Sequence, residues 1–299
     1  MILDSHAHYI SGSFENHFRY LDRENGTYSL REGDRMQLFA RLEEAGIRCS
    51  IEPGTSLASQ EAVLALAEQM PGRVFPAVGV HPTRAIRERW LQRRQLFRAA
   101  GMPQVIAIGE TGLDYHYQRK DQQRLRQKLW FLYQLDLARR VKKPLILHIR
   151  DAHRDALRIL SRYPGIRQGG VVHCFYGSRE IAESYVNLGL HIGIGGTLLQ
   201  QGERGEQLRE AIAAIPMERI LLETDAPYIL PYCKDVLSGK QLRRARNTSL
   251  ILPAVAEAIA QIKGLTREEV ERITAENTVA LFHLPKSLLE ERKNTHENL

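Results

Sequence analysis

Met1-Ile-Leu-Asp-Ser-His-Ala-His-Tyr9 opens the chain, an apolar run that ends in two imidazoles, His6 and His8. In an extended strand, side chains alternate faces, so residues i and i+2 project together. Two neutral imidazoles converging from one face are the beginning of a metal site. The other reading is a pair of unrelated surface histidines. Only the rest of the chain separates the two, because His or a carboxylate recurs at the ends of several more strand-like runs.

Outward from this strand, Ile2–Tyr9, strand-like and helix-like segments alternate to the end of the chain. Gly33–Gly46 has helical spacing (Met36, Leu38, Phe39, Leu42, Ala45) and stops at Gly46, a residue suited to a left-handed C-terminal cap. Further strands are expected at Arg48–Pro53, Val74–His81, Val105–Glu110, Pro144–Ile149, Gly170–Phe175, His191–Gly195 and Arg219–Asp225. Helices are expected at Ser59–Met70, Thr83–Ala100, Asp121–Val141, Asp155–Tyr163, Glu180–Leu188, Glu206–Ile215, Leu250–Lys263 and Arg267–Phe282. One unbroken β/α series of this kind predicts an α/β fold, a closed (β/α)8 barrel. A doubly wound open sheet is the alternative, disfavoured because no Gly-x-Gly-x-x-Gly follows the first strand.

No repeat, low-complexity tract or linker divides the series. Residues 1–285 are therefore expected to form one domain, followed by a polar tail at 286–299. Ile10–Glu32 breaks the rhythm. It is polar, is spotted with Phe14, Phe18, Tyr20 and Tyr28, and reads as an extended first loop. Loops of that length inside a compact domain are uncommon and often functional. Either it shapes the site, or it is a surface excursion that packs its own aromatics.

With 299 residues, 43% hydrophobic and 26% charged, the chain can bury a sizeable core without cross-links. Cys49, Cys174 and Cys233 are odd in number and lack C-x-x-C spacing, which argues for a reducing compartment and against a disulfide scaffold or zinc ribbon. The chain starts directly on a strand and holds no apolar run of the roughly 18–20 residues that cross a bilayer, so a cytoplasmic location without a membrane partner is expected. The net charge of +7, with arginine-dense stretches at Arg84–Arg98 and at Arg243, Arg244 and Arg246, favours acidic partners such as nucleic acid, although solvated helix faces carry such charges too.

In a (β/α)8 barrel the C-terminal strand ends face one shared cavity. The polar residues at those ends are His6, His8, His81, Glu110, His148, His173 and Asp225. Parity agrees: His148 shares a face with Ile146, and His173 with Val171, while Cys174 points the other way. Unpaired polar groups are costly to bury. A metal centre would supply the partner.

These residues lie in Asp4-Ser-His-Ala-His8, Gly79-Val-His-Pro82, Gly109-Glu-Thr-Gly-Leu-Asp-Tyr115, Leu147-His-Ile-Arg-Asp-Ala152, His173-Cys-Phe-Tyr-Gly177 and Glu223-Thr-Asp-Ala-Pro227, followed by Arg246-Asn247. In this order, from Met1 to about Leu284, the set resembles the TatD-type metal-dependent deoxyribonucleases of the amidohydrolase superfamily. Two departures stand out: Ile10–Glu32 is longer than the family's usual first loop, and Thr248-Ser249 stands where Glu-Pro typically follows Arg-Asn. Both put the substrate in question more than the chemistry.

The resemblance implies a binuclear site with two divalent ions per chain. His6, His8 and Asp225 would hold one metal, His148 and His173 the second, and Glu110 would bridge them. Glu110 and Asp225 are the catalytic candidates, Asp225 as general base. His81 is a candidate substrate contact. Arg150 and Arg246 would either bind phosphate or fix neighbouring carboxylates, and Asp4 and Glu223 would either hold the ligands or serve structural pairing. Imidazoles favour zinc, manganese or cobalt, whereas family activity is usually linked to magnesium. The expected activity is hydrolysis of phosphodiester bonds in DNA from an end, with RNA or a small phosphoester as further substrates. A small-molecule ester, lactone or amide hydrolase with the same site is the alternative, and a non-enzymatic barrel is a third reading that the full ligand set disfavours.

Overall fold

The computed structural model describes residues 1–290 apart from 25, 118–119, 164–165, 167, 234 and 236. In chain order the first half comprises β1 Ile2–Asp4, β2 Phe18–Glu24, β3 Thr27–Gly33, α1 Arg35–Glu44, β4 Ile47–Pro53, α2 Gln60–Gln69, β5 Val74–Val78, α3 Pro82–Ala85, α4 Arg93–Ala100, β6 Ala107–Asp114 and α5 Asp121–Val141. The second half comprises β7 Leu145–Arg150, α6 His153–Leu160, β8 Gly170–Val172, α7 Arg179–Asn187, β9 His191–Ile194, α8 Glu203–Ala214, β10 Ile220–Leu222, α9 Gly239–Leu242, β11 Ala245–Arg246, α10 Leu252–Lys263 and α11 Arg267–Phe282.

Eight strands pair in parallel in the order β1-β4-β5-β6-β7-β8-β9-β10. The seam between β10 and β1 is closed by Ser5 N donating to Leu222 O (2.9 Å), Asp225 N to His6 O (2.9 Å) and His8 N to Ala226 O (2.8 Å). The fold is thus the expected (β/α)8 barrel. Alternation explains it: Leu3, Cys49, Ile51, Ala77, Ala107, Ile146, Val171 and Leu221 fill the interior, while Ile2, Val78, Ile108, Leu147, Val172, Ile192 and Leu222 face the helices. Ala275, Val279 and Phe282 of α11 pack onto the interior set and stopper its N-terminal end. Among the described residues no single helix is long and apolar enough to cross a membrane.

Several expectations change. The stretch 10–32 is not a loop but a hairpin, β2–β3, with β11 as a third strand paired in parallel to β2 (Arg246 opposite Tyr20). The fourth barrel strand runs on from Glu110 to Asp114, because the β6–β7 register slips by one residue between Ile108 and Thr111 and then resumes. The helix expected over Thr83–Ala100 is broken. Trp90 starts a separate 3-10 turn and packs on Trp130 and Tyr133, and the Glu88 carboxylate accepts from Leu57 N (3.1 Å). The first strand ends at Asp4 rather than Tyr9, and the third, sixth and eighth barrel strands likewise stop early, at Val78, Val172 and Leu222 rather than His81, Phe175 and Asp225. In the tail, Lys286–Leu289 makes a 3-10 turn, and 291–299 lie outside the described residues.

The resumed β6–β7 register requires Gly112. Its φ is +144°, and a Cβ there would lie 2.1 Å from His148 O. Backbone against backbone leaves nothing that can yield, so Gly112→Ala is expected to cost about 3 kcal/mol or more. Loss of the cooperative thermal transition, or a melting point lower by roughly ten degrees, would register it.

Candidate metal centre

Beyond Asp4 the chain is stitched alternately to its two neighbours: Ser5 to β10, Ala7 N to Ile51 O (3.0 Å), and His8 back to Ala226. Tyr9 N then donates to the buried Glu52 Oε2 (2.6 Å), which fixes the turn after His8. Burial pushes the Glu52 carboxyl up to about 8, against the pull of His8 and the Tyr9 and Ile10 amides. Glu110 has the parity of Ile108, which faces the helices. The one-residue slip in β6 turns it inward, a familiar use of a bulge beside a site. His148 arrives by plain alternation after Ile146; His173 lies one residue past β8, where its N–H still donates to Leu147 O (3.0 Å) and keeps it on the face of Val171. Asp225 sits in the left-handed region at φ +53°, where strain is stored at sites of function.

These residues converge on one carboxylate. Glu110 Oε1 lies 2.8 Å from His148 Nδ1, 2.8 Å from His173 Nε2 and 3.3 Å from His81 Nε2. Its Oε2 lies 3.5 Å from His8 Nε2 and 3.8 Å from His6 Nε2. Asp225 Oδ1 is 3.4 and 3.7 Å from the same two nitrogens. His6 stacks on His173 at 3.8 Å. The floor (His6, Glu110, His173) is shut off from solvent, whereas the side chains of His148 and Asp225 are each 17% exposed. The centre therefore opens on one side.

Burial alone would push Glu110 up, but the imidazoles of His81, His173 and His148 outweigh it and hold the carboxyl well below its usual range. Burial and the neighbouring His173 push His6 well down. For His8 and His148 burial pulls down, yet Asp225 and Glu110 raise the first to about 9, and Asp114 and Glu110 raise the second to about 9.

The donor set fits divalent cations. His6 Nε2 faces His8 Nε2 at 3.1 Å, and His148 Nδ1 faces His173 Nε2 at 3.1 Å. Within each pair two ring nitrogens compete for the same carboxylate oxygen. A cation would take both lone pairs and the oxygen together. Three groups of possible ligands result: His6, His8 and Asp225; His6, Glu110 and His173; and His81, Glu110 and His148.

His81 is at the centre, but its orientation is that of a donor. Thr83 N donates to His81 Nδ1 (3.2 Å), so the ring proton sits on Nε2 and faces Glu110. Arg150 lies over the Tyr117 ring at 5.1 Å rather than on a carboxylate. Arg246 is held in β11, with its Nε buried and unpartnered. Asp4 does not share the ligands' face, since Leu3 lines the barrel. It accepts from His6 N, Thr224 N, Thr224 Oγ1 and Ser249 Oγ, so pairing is its role. Glu223 accepts from Cys174 N (2.6 Å), and its other oxygen, 3.8 Å from His173 Nδ1, has no closer partner.

Sequence reasoning missed three supports. Asp114 Oδ2 lies 3.2 Å from His148 Nε2 and orients that ring; carrying the strand past Glu110 would have exposed it. Gln127 and Gln134, one heptad apart on α5, each grip a strand-end backbone at both its N–H and its C=O. Gln127 binds Asp114 (2.9 and 2.8 Å), and Gln134 binds Val80, next to His81 (2.7 and 3.1 Å). Two glutamines inside a buried helical stripe were the available signal.

Residues 3–283 match the family model described as TatD related DNase. A 3'-5' ssDNA/RNA exonuclease TatD from Erwinia billingiae is 38% identical over 252 residues, 84% of this chain and 94% of that one. One of the same name from Edwardsiella piscicida is 36% identical over 260 residues, 87% and 96% of the two chains. Among solved structures, YJJV, a TatD homologue from Escherichia coli, aligns with a TM-score of 0.80 and 31% identity over 95% of this chain and 98% of that one.

Gln134→Ala would leave both Val80 groups buried and unsatisfied. The expected loss is about 2 kcal/mol, read as a melting point lower by about 4–8 °C. Gln134→Glu keeps the acceptor and should lose less.

Proposed function

The chain belongs to the TatD-related DNase family and is a metal-dependent hydrolase of phosphodiester bonds; on that footing we propose that it trims single-stranded DNA, with RNA as a second substrate, from the 3′ end. The names of the relatives at 38% and 36% identity support both the substrate and the polarity. We further propose that His6, His8 and Asp225 hold one divalent cation, that His148 and His173 hold a second, and that Glu110 is shared. The observation that carries this reading is the split carboxylate of Glu110, with one oxygen toward His148 and His173 and the other toward His6 and His8.

Two cations held there would polarise the phosphodiester and lower the pKa of an attacking water. Asp225, at the open side, takes that water's proton. His81, which burial keeps in its neutral form, offers its Nε2–H to a phosphate oxygen. Arg150, which pairs with no acid among the described residues and stands beside the mouth, compensates the charge of the strand. The imidazole-rich set suits zinc, manganese or cobalt better than magnesium. A small-ligand hydrolase would want a closed chamber, and the exposure of His148 and Asp225 argues for an open one.

Protein reconstituted with each of Mg²⁺, Mn²⁺, Zn²⁺ and Co²⁺ is expected to shorten 5′-labelled single-stranded DNA stepwise, and a blocked 3′ end should stop it. Degradation of neither DNA nor RNA with any of the four metals would overturn the reading. Asp225→Asn should lower kcat by about 10²–10⁴, and Glu110→Gln should reduce the bound metal measured by elemental analysis from two ions toward one. Asp114→Asn is expected to weaken metal affinity by about 10–100-fold while the protein stays folded, as titration calorimetry would show.

A further inference from the structure

Three tyrosines stand out on the open side of the centre: Tyr117, Tyr176 and Tyr228, 64%, 37% and 56% exposed. A single exposed tyrosine is ordinary. These three share an offset, each lying three residues beyond a residue of the centre on a different strand end (Asp114, His173 and Asp225). Their backbones are also tied back. Tyr117 N donates to Asp114 Oδ1 (3.2 Å), Tyr228 N donates to Asp225 O (2.9 Å), and Tyr176 O lies 3.0 Å from His153 Nε2. The polar centre and the rings are therefore positioned by the same short turns.

Two rings already carry a cation on one face. The Arg150 guanidinium lies 5.1 Å from the Tyr117 centroid, and that of Arg204 lies 5.1 Å from the Tyr176 centroid. The His116 ring also meets Tyr117, 4.8 Å away and nearly perpendicular, yet Tyr117 and Tyr176 keep the exposure given above. The Tyr228 ring is 6.2 Å from that of His8, which makes it the tyrosine next to the ligands. Aromatic faces beside guanidinium groups are what unpaired bases and their phosphates recognise, with little regard for sequence because every base has a π-face.

Resting on the nuclease reading above, we propose that Tyr228, Tyr117 and Tyr176 form a base-stacking platform around the centre that selects unpaired strands. Tyr228 takes the base beside the scissile phosphate, and the Tyr117–Arg150 and Tyr176–Arg204 pairs take the strand that leads away from it. A paired base has its faces covered by its neighbours and cannot use the rings.

The test compares KM for a single-stranded oligodeoxynucleotide with KM for one of equal length whose last three positions are abasic, using the metal-loaded enzyme and its tyrosine variants. The abasic strand is expected to have the higher KM. Each Tyr→Ala change should raise KM for the base-bearing strand by about 5–150-fold and shrink the ratio between the two strands, whereas Tyr→Phe should preserve the ratio. Equal KM for the two strands in an enzyme that degrades DNA would overturn the platform and leave the nuclease reading standing. So would alanine variants that keep the ratio. An enzyme that cuts neither strand nor RNA would overturn both.

Discussion

Everything at the top of this barrel is arranged around one buried carboxylate against which, among the described residues, no lysine or arginine is placed. Removing an ion from water costs several kcal/mol, and Glu110 meets that cost only with imidazoles, three of them within 3.3 Å of one oxygen. Its inward aim depends on the slip in β6. The slip in turn depends on positions where no side chain fits: a Cβ on Gly79 would lie 2.5 Å from Gly109 C, and one on Gly109 would lie 2.5 Å from Ile146 Cβ. Close strand approach, the extra residue and the inward acid are one device.

That device needs outside support, because a slipped strand loses ladder partners. α5 supplies it. Gln127 and Gln134 present amides that act as short pieces of strand, each satisfying a backbone donor and acceptor beside the centre. At the opposite side the seam has its own knot. Asp4 collects four donors from three segments, including Ser249 in the 3-10 turn just before α10, and burial still keeps its carboxyl raised to about 6. The Tyr9 hydroxyl joins Ser249 Oγ at 2.6 Å, so the residue that follows His8 is fastened to the same knot.

What could be read in the sequence follows from periodicity. The barrel, the long α5, and the inward facing of His148 and His173 come from alternation of apolar residues, which the chain displays openly. Glu110 was found as a polar residue at a strand end, but its route inward was not, because a one-residue slip leaves no trace in hydrophobic pattern. Asp114 was lost with it. His6 and His8 were found by a parity argument that the structure does not use: their strand stops at Asp4, and hydrogen bonds from both neighbours place them. The hairpin was legible. Asn25-Gly26, a dipeptide suited to tight turns between strands, lies between Phe18-x-Tyr20 and Tyr28-x-Leu30, yet the polar composition of 10–32 outweighed it.

The stretch 10–32 and Thr248-Ser249, on which the resemblance put the substrate in question, form one piece of structure. β2 of the hairpin pairs with β11, and three residues beyond Ala245 the Thr248 hydroxyl donates to Leu21 O on that same β2 (3.2 Å). Ser249 binds Asp4. Thr248-Ser249 is thus buried as the socket for the hairpin and is not a surface that meets substrate. Nor does the hairpin extend a basic groove: Arg19 pairs with Glu32, Arg23 with Glu257, and Arg31 with Asp22 and Glu24. The hairpin, with these arginines ion-paired, is thereby tied through Thr248-Ser249 to the knot behind His6 and His8. The exposed aromatic rings stand instead on the turns that follow Asp114, His173 and Asp225, two of them against the Arg150 and Arg204 guanidinium groups.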